Sequence, residues 1–135
     1  MTILAIPDTL SAALARKEKV LVSIKVAKRQ VGVVTILDIT GRITLGEGAS
    51  DFRDRVRDCL SGGEKKILIN LAEVSYIDGS GIGELVSSYT TTTNRDGQLK
   101  LLALTKRVKN LLQSTKLYTV FEIFDDEAVA IRSFT

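Results

Sequence analysis

Residues 67–89, ILINLAEVSYIDGSGIGELVSSY, carry a strand pattern and a helix pattern joined by a glycine-rich junction. The opening run, residues 67–71, is apolar and short, which predicts a strand buried on both faces. After a predicted turn, residues 74–77 lead into the junction at residues 78–84. From Ile82 onward, apolar residues recur three and four positions apart, which predicts an amphipathic helix. A buried strand followed directly by a helix indicates an α/β fold.

The chain before this segment predicts a β-hairpin. Residues 20–26 and 31–39 are rich in β-branched side chains, and the polar residues 28–30 between them predict the turn. Residues 41–48 then form a glycine-punctuated turn region that is predicted to contain a short strand. The N-terminal part of the chain therefore adds antiparallel strands to the sheet.

The next predicted helix contains the only cysteine of the chain. Its apolar residues, Phe52, Val56, Cys59 and Leu60, recur at helical spacing while charged residues fill the opposite face. The glycine pair at residues 62–63 ends the helix. Because Cys59 falls on the apolar face, we interpret it as a small core residue and not as a reactive thiol.

The chain after the junction continues to alternate strands and helices. Residues 99–104 and 120–124 predict two further strands, and residues 106–115 predict a helix between them. A last helix is predicted over residues 126–134, where an acidic side chain at the N-terminus is favourable. This alternation through short connections predicts a partly parallel sheet.

The predicted architecture is one α/β domain. We expect a small mixed sheet of about four to five strands, with about four helices covering mainly one face. The domain is predicted to occupy residues 20–135, and residues 1–19 are interpreted as an N-terminal extension without a clear pattern. A chain of 135 residues suffices for one domain with its own core.

The absence of histidine excludes the commonest catalytic groups. The chain contains no His, no Trp, one Cys and one Met. Without His there is no Ser-His-Asp triad, no Cys-His pair and no HExxH zinc helix. A single cysteine cannot form a disulfide within the chain or a CxxC metal site. We therefore expect no metal, no cofactor and no enzymatic activity.

The net charge of +3 does not predict a nucleic-acid partner. Residues 1–30 contain six basic and two acidic side chains, whereas the remaining 105 residues contain 13 basic and 14 acidic ones. The positive excess therefore belongs to the N-terminal fifth of the chain. With only 5% aromatic residues as well, a basic surface that reads nucleic acid is not expected.

No apolar run approaches the roughly 20 residues of a membrane helix, so membrane insertion is not expected. The apolar stretch at the N-terminus is interrupted at Pro7 and Asp8, too early for the hydrophobic region of a signal peptide. The protein is therefore predicted to be cytoplasmic.

The glycine-rich junction is compatible with more than one function. Its glycines would let backbone N–H groups approach a phosphate at a helix N-terminus. However, the third glycine of a dinucleotide fingerprint falls on Glu84, and no Lys-Ser/Thr pair follows as in a P-loop. The alternative makes Ser80 the important group, either as a simple helix cap or as a phosphoacceptor. A phosphate at a helix N-terminus would be tolerated by the domain and would act on a docking partner.

The chain resembles the STAS-domain anti-sigma-factor antagonists, also called anti-anti-sigma factors. The resemblance covers residues 24–134 and is strongest over residues 68–85, LINLAEVSYIDGSGIGEL. It implies a small sheet backed by helices and a role in transcription regulation by partner switching. In such circuits the unphosphorylated antagonist binds an anti-sigma factor, often itself a serine kinase, and thereby frees the sigma factor. Phosphorylation of one serine ends this binding, and a phosphatase restores it.

The chain departs from the family's pattern at the phosphorylated serine. In the usual Asp-Ser-Ser/Thr-Gly pattern the acceptor directly follows the aspartate, and that position is Gly79 here. Either Ser80 has become the acceptor, or the domain is a constitutive binder without the switch. The family's turn after the first long strand often carries an acidic residue where this chain has Thr44. The chain could therefore bind a different partner from that of other family members.

The resemblance implies a binding module that acts through a protein partner, an anti-sigma factor/serine kinase. The candidate phosphoacceptor is Ser80. The predicted partner-binding loop consists of Asp78, Gly79, Ser80, Gly81, Ile82 and Gly83. The alternative is a STAS scaffold, or a subunit of a larger signalling or transport assembly, that works without a phosphoserine cycle.

Overall fold

Five strands form one mixed sheet in the computed structural model, which describes residues 24–135. The extension predicted for residues 1–19 and the start of the strand predicted at residue 20 lie outside the described residues. The strands lie side by side in chain order, with β1 and β2 antiparallel and all later pairs parallel. Their bounds are β1 Ile24–Val31, β2 Val34–Ile43, β3 Lys66–Ile77, β4 Gln98–Leu102 and β5 Ile123–Phe124.

Helices connect the parallel strands, as parallel neighbours require a crossover. A fourth helix follows β5 near the end of the chain. The bounds of the four helices are α1 Glu47–Ser61, α2 Gly79–Asn94, α3 Lys106–Ser114 and α4 Glu127–Arg132. A mixed five-stranded sheet with four helices in the described part of the chain confirms the predicted fold class.

The helices divide unequally between the two faces of the sheet. The apolar sides of α1, α2 and α3 pack with strand residues such as Leu37 and Ile69 into the main core. On the opposite face, Ala130 of α4 and Phe134 pack against a smaller cluster that includes Ile36 and Leu68. Alternate residues of the central strands therefore enter different cores. The expectation that helices cover mainly one face is confirmed.

The hairpin turn lies at Gly32, which has a φ of 60°, and not at residues 28–30 as predicted. The side chain of Arg29, within β1, donates hydrogen bonds to Asp38 of β2 and to Glu127 of α4. These partners keep a polar segment in the strand, and charged side chains also suit an edge strand. The polar residues were therefore a wrong signal for a turn.

The strand β3 is longer than predicted, whereas β5 covers only part of residues 120–124. The turn expected between residues 71 and 74 is instead continuous strand, and its pairing register with β2 shifts twice. Such shifts mark β-bulges, which bend a strand without ending it. The extension brings Ile77 opposite Ile43 at the end of β2.

Candidate functional site

The glycine-rich junction lies at the carboxyl ends of β2 and β3, where α2 begins. Asp78 follows directly on β3 and is the N-cap residue of α2, with extended backbone angles. Its backbone N–H donates to the carbonyl of Ile43 at 3.3 Å, and its own carbonyl accepts from Ile82 N–H at 2.9 Å. In α/β sheets, the carboxyl edge of the strands is where functional residues tend to collect. The fold therefore presents the first turn of α2 at this edge.

The carboxylate of Asp78 joins two segments of the chain. One oxygen accepts the N–H of Gly81 at 2.8 Å, and the other accepts the N–H of Leu45 at 2.9 Å. The hydrogen bonds from Leu45 and then from Gly81 hold the pKa of this carboxyl below its usual range. Because both oxygens are occupied by backbone donors, Asp78 positions the loop. The helix cap is Asp78, and not Ser80 as the simplest sequence interpretation would have it.

Gly81 allows α2 to approach β2 closely. A Cβ atom built at this position would stand 2.1 Å from the carbonyl oxygen of Ile43 and 2.7 Å from Cγ2 of Ile77. Real Cβ atoms do not approach other atoms so closely, so only glycine fits here. Its neighbour Ile82 is only 7% exposed and belongs to the main core. These two residues of the predicted binding loop therefore face inward.

The other residues of the first turn face outward. Gly79 and Gly83 are exposed, and a Cβ atom at either position would meet no atom within 4 Å. Ser80, between the two orientations, is partly exposed. The predicted loop is therefore split by the helix into an inner side, Asp78, Gly81 and Ile82, and an outer side, Gly79, Ser80 and Gly83.

An exposed apolar side chain adjoins this turn and was not recognised in the sequence. Leu45, whose backbone N–H binds Asp78, has 78% of its surface exposed. It lies in the short connection between β2 and α1, and sequence periodicity does not mark such positions as buried or exposed. The neighbouring Gly46 was the available signal that Leu45 lies in a turn.

A groove of about 810 Å³ separates this turn from α3. Two guanidinium groups lie near the ring of Tyr76, with Arg42 Cζ 5.5 Å and Arg107 Cζ 5.3 Å from the ring centroid. Sequence reasoning missed the groove because its two walls come from segments that lie apart in the chain. The groove is lined by Tyr76, Ile77, Asp78, Gly79, Ile82, Lys106, Arg107, Asn110, Leu111, Ser114 and Thr115.

The cysteine, the possible metal ligands and the helices of the described residues also bear on the sequence predictions. Cys59 is 2% exposed in the main core, and burial raises the pKa of its thiol. This agrees with the prediction of a core residue, because a raised pKa disfavours the reactive thiolate.

Among residues 24–135, no three His, Cys, Asp or Glu side chains are grouped to hold a metal ion. Over the same residues, no helix combines the length and apolarity that crossing a membrane requires.

Comparison with known proteins identifies a matching family and two sequence relatives. The family model described as "STAS domain" matches residues 25–130. The anti-sigma-B factor antagonist of Listeria monocytogenes is 36% identical over 55 residues, which are 41% of this chain and 48% of that protein. The protein of the same name from Listeria innocua matches to the same extent. The match to these curated relatives thus spans about half of their length, 48%.

Solved structures resemble the fold over most of its length. An anti-sigma factor antagonist from Thermotoga maritima has a TM-score of 0.73 at 25% identity, covering 81% of this chain and 93% of that one. Unphosphorylated SpoIIAA, also an anti-sigma factor antagonist, has a TM-score of 0.68 at 18% identity, covering 79% and 93%. At 18% identity, the similarity to SpoIIAA shows a shared fold alone.

Proposed function

The chain belongs to the STAS domain family, and from this membership and the geometry of its strand–helix junction we propose that it is an anti-sigma-factor antagonist. It binds an anti-sigma factor, of the kind that is also a serine kinase, and thereby releases a sigma factor. The docking surface centres on the outer side of the first turn of α2. The protein performs this role by binding and contributes no catalysis of its own.

The observation that carries the proposal is the free outer side of this turn. Gly79 and Gly83 present backbone without side chains, so a partner surface can approach the helix closely. The exposed Leu45 beside them offers an apolar anchor of the type that protein interfaces bury. Asp78 holds both segments in place before any partner arrives, which reduces the entropy lost on binding.

Ser80 is the proposed point of control. A phosphate there would add a charge of about −1.5 to −2 at the positive end of α2, which the helix tolerates. The same charge would have to be desolvated when a partner covers the turn. Glu84 lies four residues further along the helix but is paired with Arg53 at 3.6 Å, so the phosphate would be the uncompensated negative group that the partner meets. Phosphorylation would therefore end binding without unfolding the domain.

The test is a calorimetric titration of Ser80→Asp against the purified anti-sigma factor kinase encoded in the same genome. We expect affinity to fall by about tenfold or more, because an unpaired polar group buried at an interface costs about 1–3 kcal/mol. Ser87→Asp adds the same charge at an exposed site two turns along α2 and is expected to bind as the wild type does. Equal affinities for the two variants would remove Ser80 as the control point.

The substitution of glycine at the family's acceptor position favours a second candidate function. With Gly79 in place of that serine, the domain would be a constitutive scaffold, or a subunit of a larger assembly without a phosphoserine cycle. Phosphopeptide mapping of the protein from its native cells distinguishes the two. A phosphate on Ser80 supports the switch, and its absence when the kinase is active supports the scaffold.

A further inference from the structure

The groove between the first turn of α2 and the start of α3 has an apolar floor and a cationic rim. Tyr76, Ile82 and Leu111 contribute the apolar surface, and Lys106 and Arg107 stand exposed on the α3 side. The one carboxylate in the lining, that of Asp78, already accepts two backbone N–H groups. The groove therefore carries a net positive charge.

The cations of the rim are placed where the protein itself gives them little stabilisation. Lys106 and Arg107 occupy the first turn of α3, which contains no acidic residue, and the positive end of a helix dipole disfavours cations there. Within residues 24–135, neither of them nor Arg42 forms an ion pair with a carboxylate. Two of these unpaired cations, Lys106 and Arg107, line the groove, and Arg42 contacts the same Tyr76 ring as Arg107, so an anion bound in the groove would supply the missing partner.

The aromatic ring of Tyr76 contacts two of the three cations, Arg42 and Arg107. The guanidinium Cζ atoms of Arg42 and Arg107 lie 5.5 and 5.3 Å from the centroid of the Tyr76 ring. Such cation–π contacts restrain a flexible side chain without neutralising its charge. Planar guanidinium groups held in this way are suited to carboxylates, which they bind through two parallel hydrogen bonds.

We propose that this groove binds an acidic segment of the protein partner, with one apolar side chain seated between Tyr76 and Leu111. The proposal rests on the proposed function and extends its docking surface across the groove to α3. Gly79 both lines the groove and lies on the outer side of the α2 turn, so the two surfaces are continuous. Asn110 and Ser114 supply polar groups for the backbone of the bound segment.

A protein segment fits the groove better than a small phosphate ligand does. The first turn of α3 is already capped by Thr105, whose hydroxyl accepts the N–H of Val108 at 3.3 Å. The basic side chains of Lys106 and Arg107 are exposed along the rim of a groove of about 810 Å³. Extended surfaces that combine an apolar floor with a charged rim are typical of protein interfaces.

The test compares two double charge reversals in binding to the purified anti-sigma factor kinase. Lys106→Glu/Arg107→Glu alters the groove, and Lys65→Glu/Arg95→Glu makes the same charge change at the other end of α2, roughly 24 Å away for a helix of 16 residues. We expect the groove variant to bind about tenfold to 100-fold more weakly and the control to stay within about threefold. Acidic residues in the first turn favour α3, so the groove variant is expected to fold.

The wild-type affinity should also weaken as salt rises, and the groove variant should lose most of this dependence. Equal affinities for the two charge-reversed proteins would overturn the groove proposal while leaving the proposed function in place. Failure of the wild type to bind the kinase would instead contradict the proposed function. Perturbation of the groove by orthophosphate or ATP alone, with no effect of the groove variant on the complex, would assign the cations to a small anion.

A photoreactive benzoylphenylalanine at position 114 in place of Ser114 identifies the occupant directly. In the complex, this group is expected to crosslink to a partner peptide that is rich in Asp and Glu. The same group at position 95 is expected to give no crosslink to that peptide. A crosslink from position 114 to a neutral or basic peptide, or none in a complex that has formed, would overturn the proposal.

Discussion

The inner and outer sides of the first turn of α2 both contain glycine, but for different structural reasons. On the inner side, Gly81 is required because the backbone of β2 stands where a side chain would be. On the outer side, a Cβ atom at Gly79 or Gly83 would meet no atom within 4 Å. The contacts that stabilise the fold are therefore on the inner side of the turn, and the proposed binding surface is on the outer side. Substitutions that separate the two sides distinguish folding from function.

The largest expected effect is that of Gly81→Ala, on the inner side. The new Cβ atom would meet the carbonyl oxygen of Ile43 at 2.1 Å, and a backbone atom cannot move aside as a flexible side chain can. Overpacking of this kind destabilises a protein by about 1–3 kcal/mol or more. Chemical denaturation monitored by circular dichroism should show that the free energy of unfolding falls by about 2 kcal/mol or more. A change of less than about 0.5 kcal/mol would show that α2 does not approach β2 so closely.

Asp78→Ala is expected to have the next largest effect. It removes the N-cap of α2 and leaves the N–H groups of Gly81 and Leu45 without their acceptor. Loss of an N-cap costs about 0.5–2 kcal/mol, so we expect a free energy of unfolding lower by about 1–2 kcal/mol. Asp78→Asn retains one acceptor oxygen and should lose less than the alanine variant does. Equal losses for the two variants would contradict a capping role.

The contribution of Asp78 should also depend on pH. Its pKa is lowered in the folded protein by hydrogen bonds from Leu45, then Gly81, so its stabilising effect is present above the unfolded pKa of about 3.9. The effect is lost as pH falls through the folded pKa. The stability difference between wild type and Asp78→Asn should therefore be constant from neutral pH to about pH 5 and shrink below about pH 4. Denaturation curves at several pH values check this, and Asp38 and Glu127, with lowered pKa values of their own, are common to both proteins.

The apolar patterns of the sequence predicted the elements that enclose the main core. Residues 67–71 were recognised as a buried strand, and the residues that face the core in α1 were named, because side-chain periodicity is a local property. Residues 28–30 were misread as a turn because Arg29 finds its partners, Asp38 and Glu127, on β2 and α4. Glu127 is 98 residues away from Arg29, and no local pattern reports a contact over that distance in the chain.

Parts of the candidate site that depend on local sequence could be predicted, and parts that depend on contacts between distant segments could not. The sequence shows Asp78 directly before a glycine-rich helix start, and in the structure Asp78 is the N-cap residue of that helix. The difference between Gly81 and Gly83 was not visible, since it depends on Ile43 at the end of another strand. The groove was missed for the same reason, because Arg42, Tyr76 and Arg107 meet only in the folded sheet.

Gly83→Ala is expected to have a smaller effect of opposite sign on stability. The position is helical and exposed, and a Cβ atom there would meet no atom within 4 Å, so alanine should raise the free energy of unfolding by about 0.4–1 kcal/mol. The added methyl group should nevertheless weaken binding of the anti-sigma factor kinase if the partner approaches the bare backbone. Denaturation and calorimetry of the same preparation measure both effects. A gain in stability without any loss of affinity would place Gly83 outside the docking surface.

Gly79→Ser, combined with Ser80→Ala, is expected to have the smallest effect on folding and the most informative one on function. A Cβ atom at position 79 meets nothing within 4 Å, so the free energy of unfolding should change by less than about 0.5 kcal/mol. The variant returns a serine to the position directly after Asp78, where the family's pattern has its acceptor. Incubation with the kinase and ATP, followed by intact-protein mass spectrometry, should show one phosphate on this variant and none on Ser80→Ala alone. An unmodified variant that still binds the kinase would mean that more than the serine separates this chain from the phosphorylated members, and that the outer side of the turn serves binding alone.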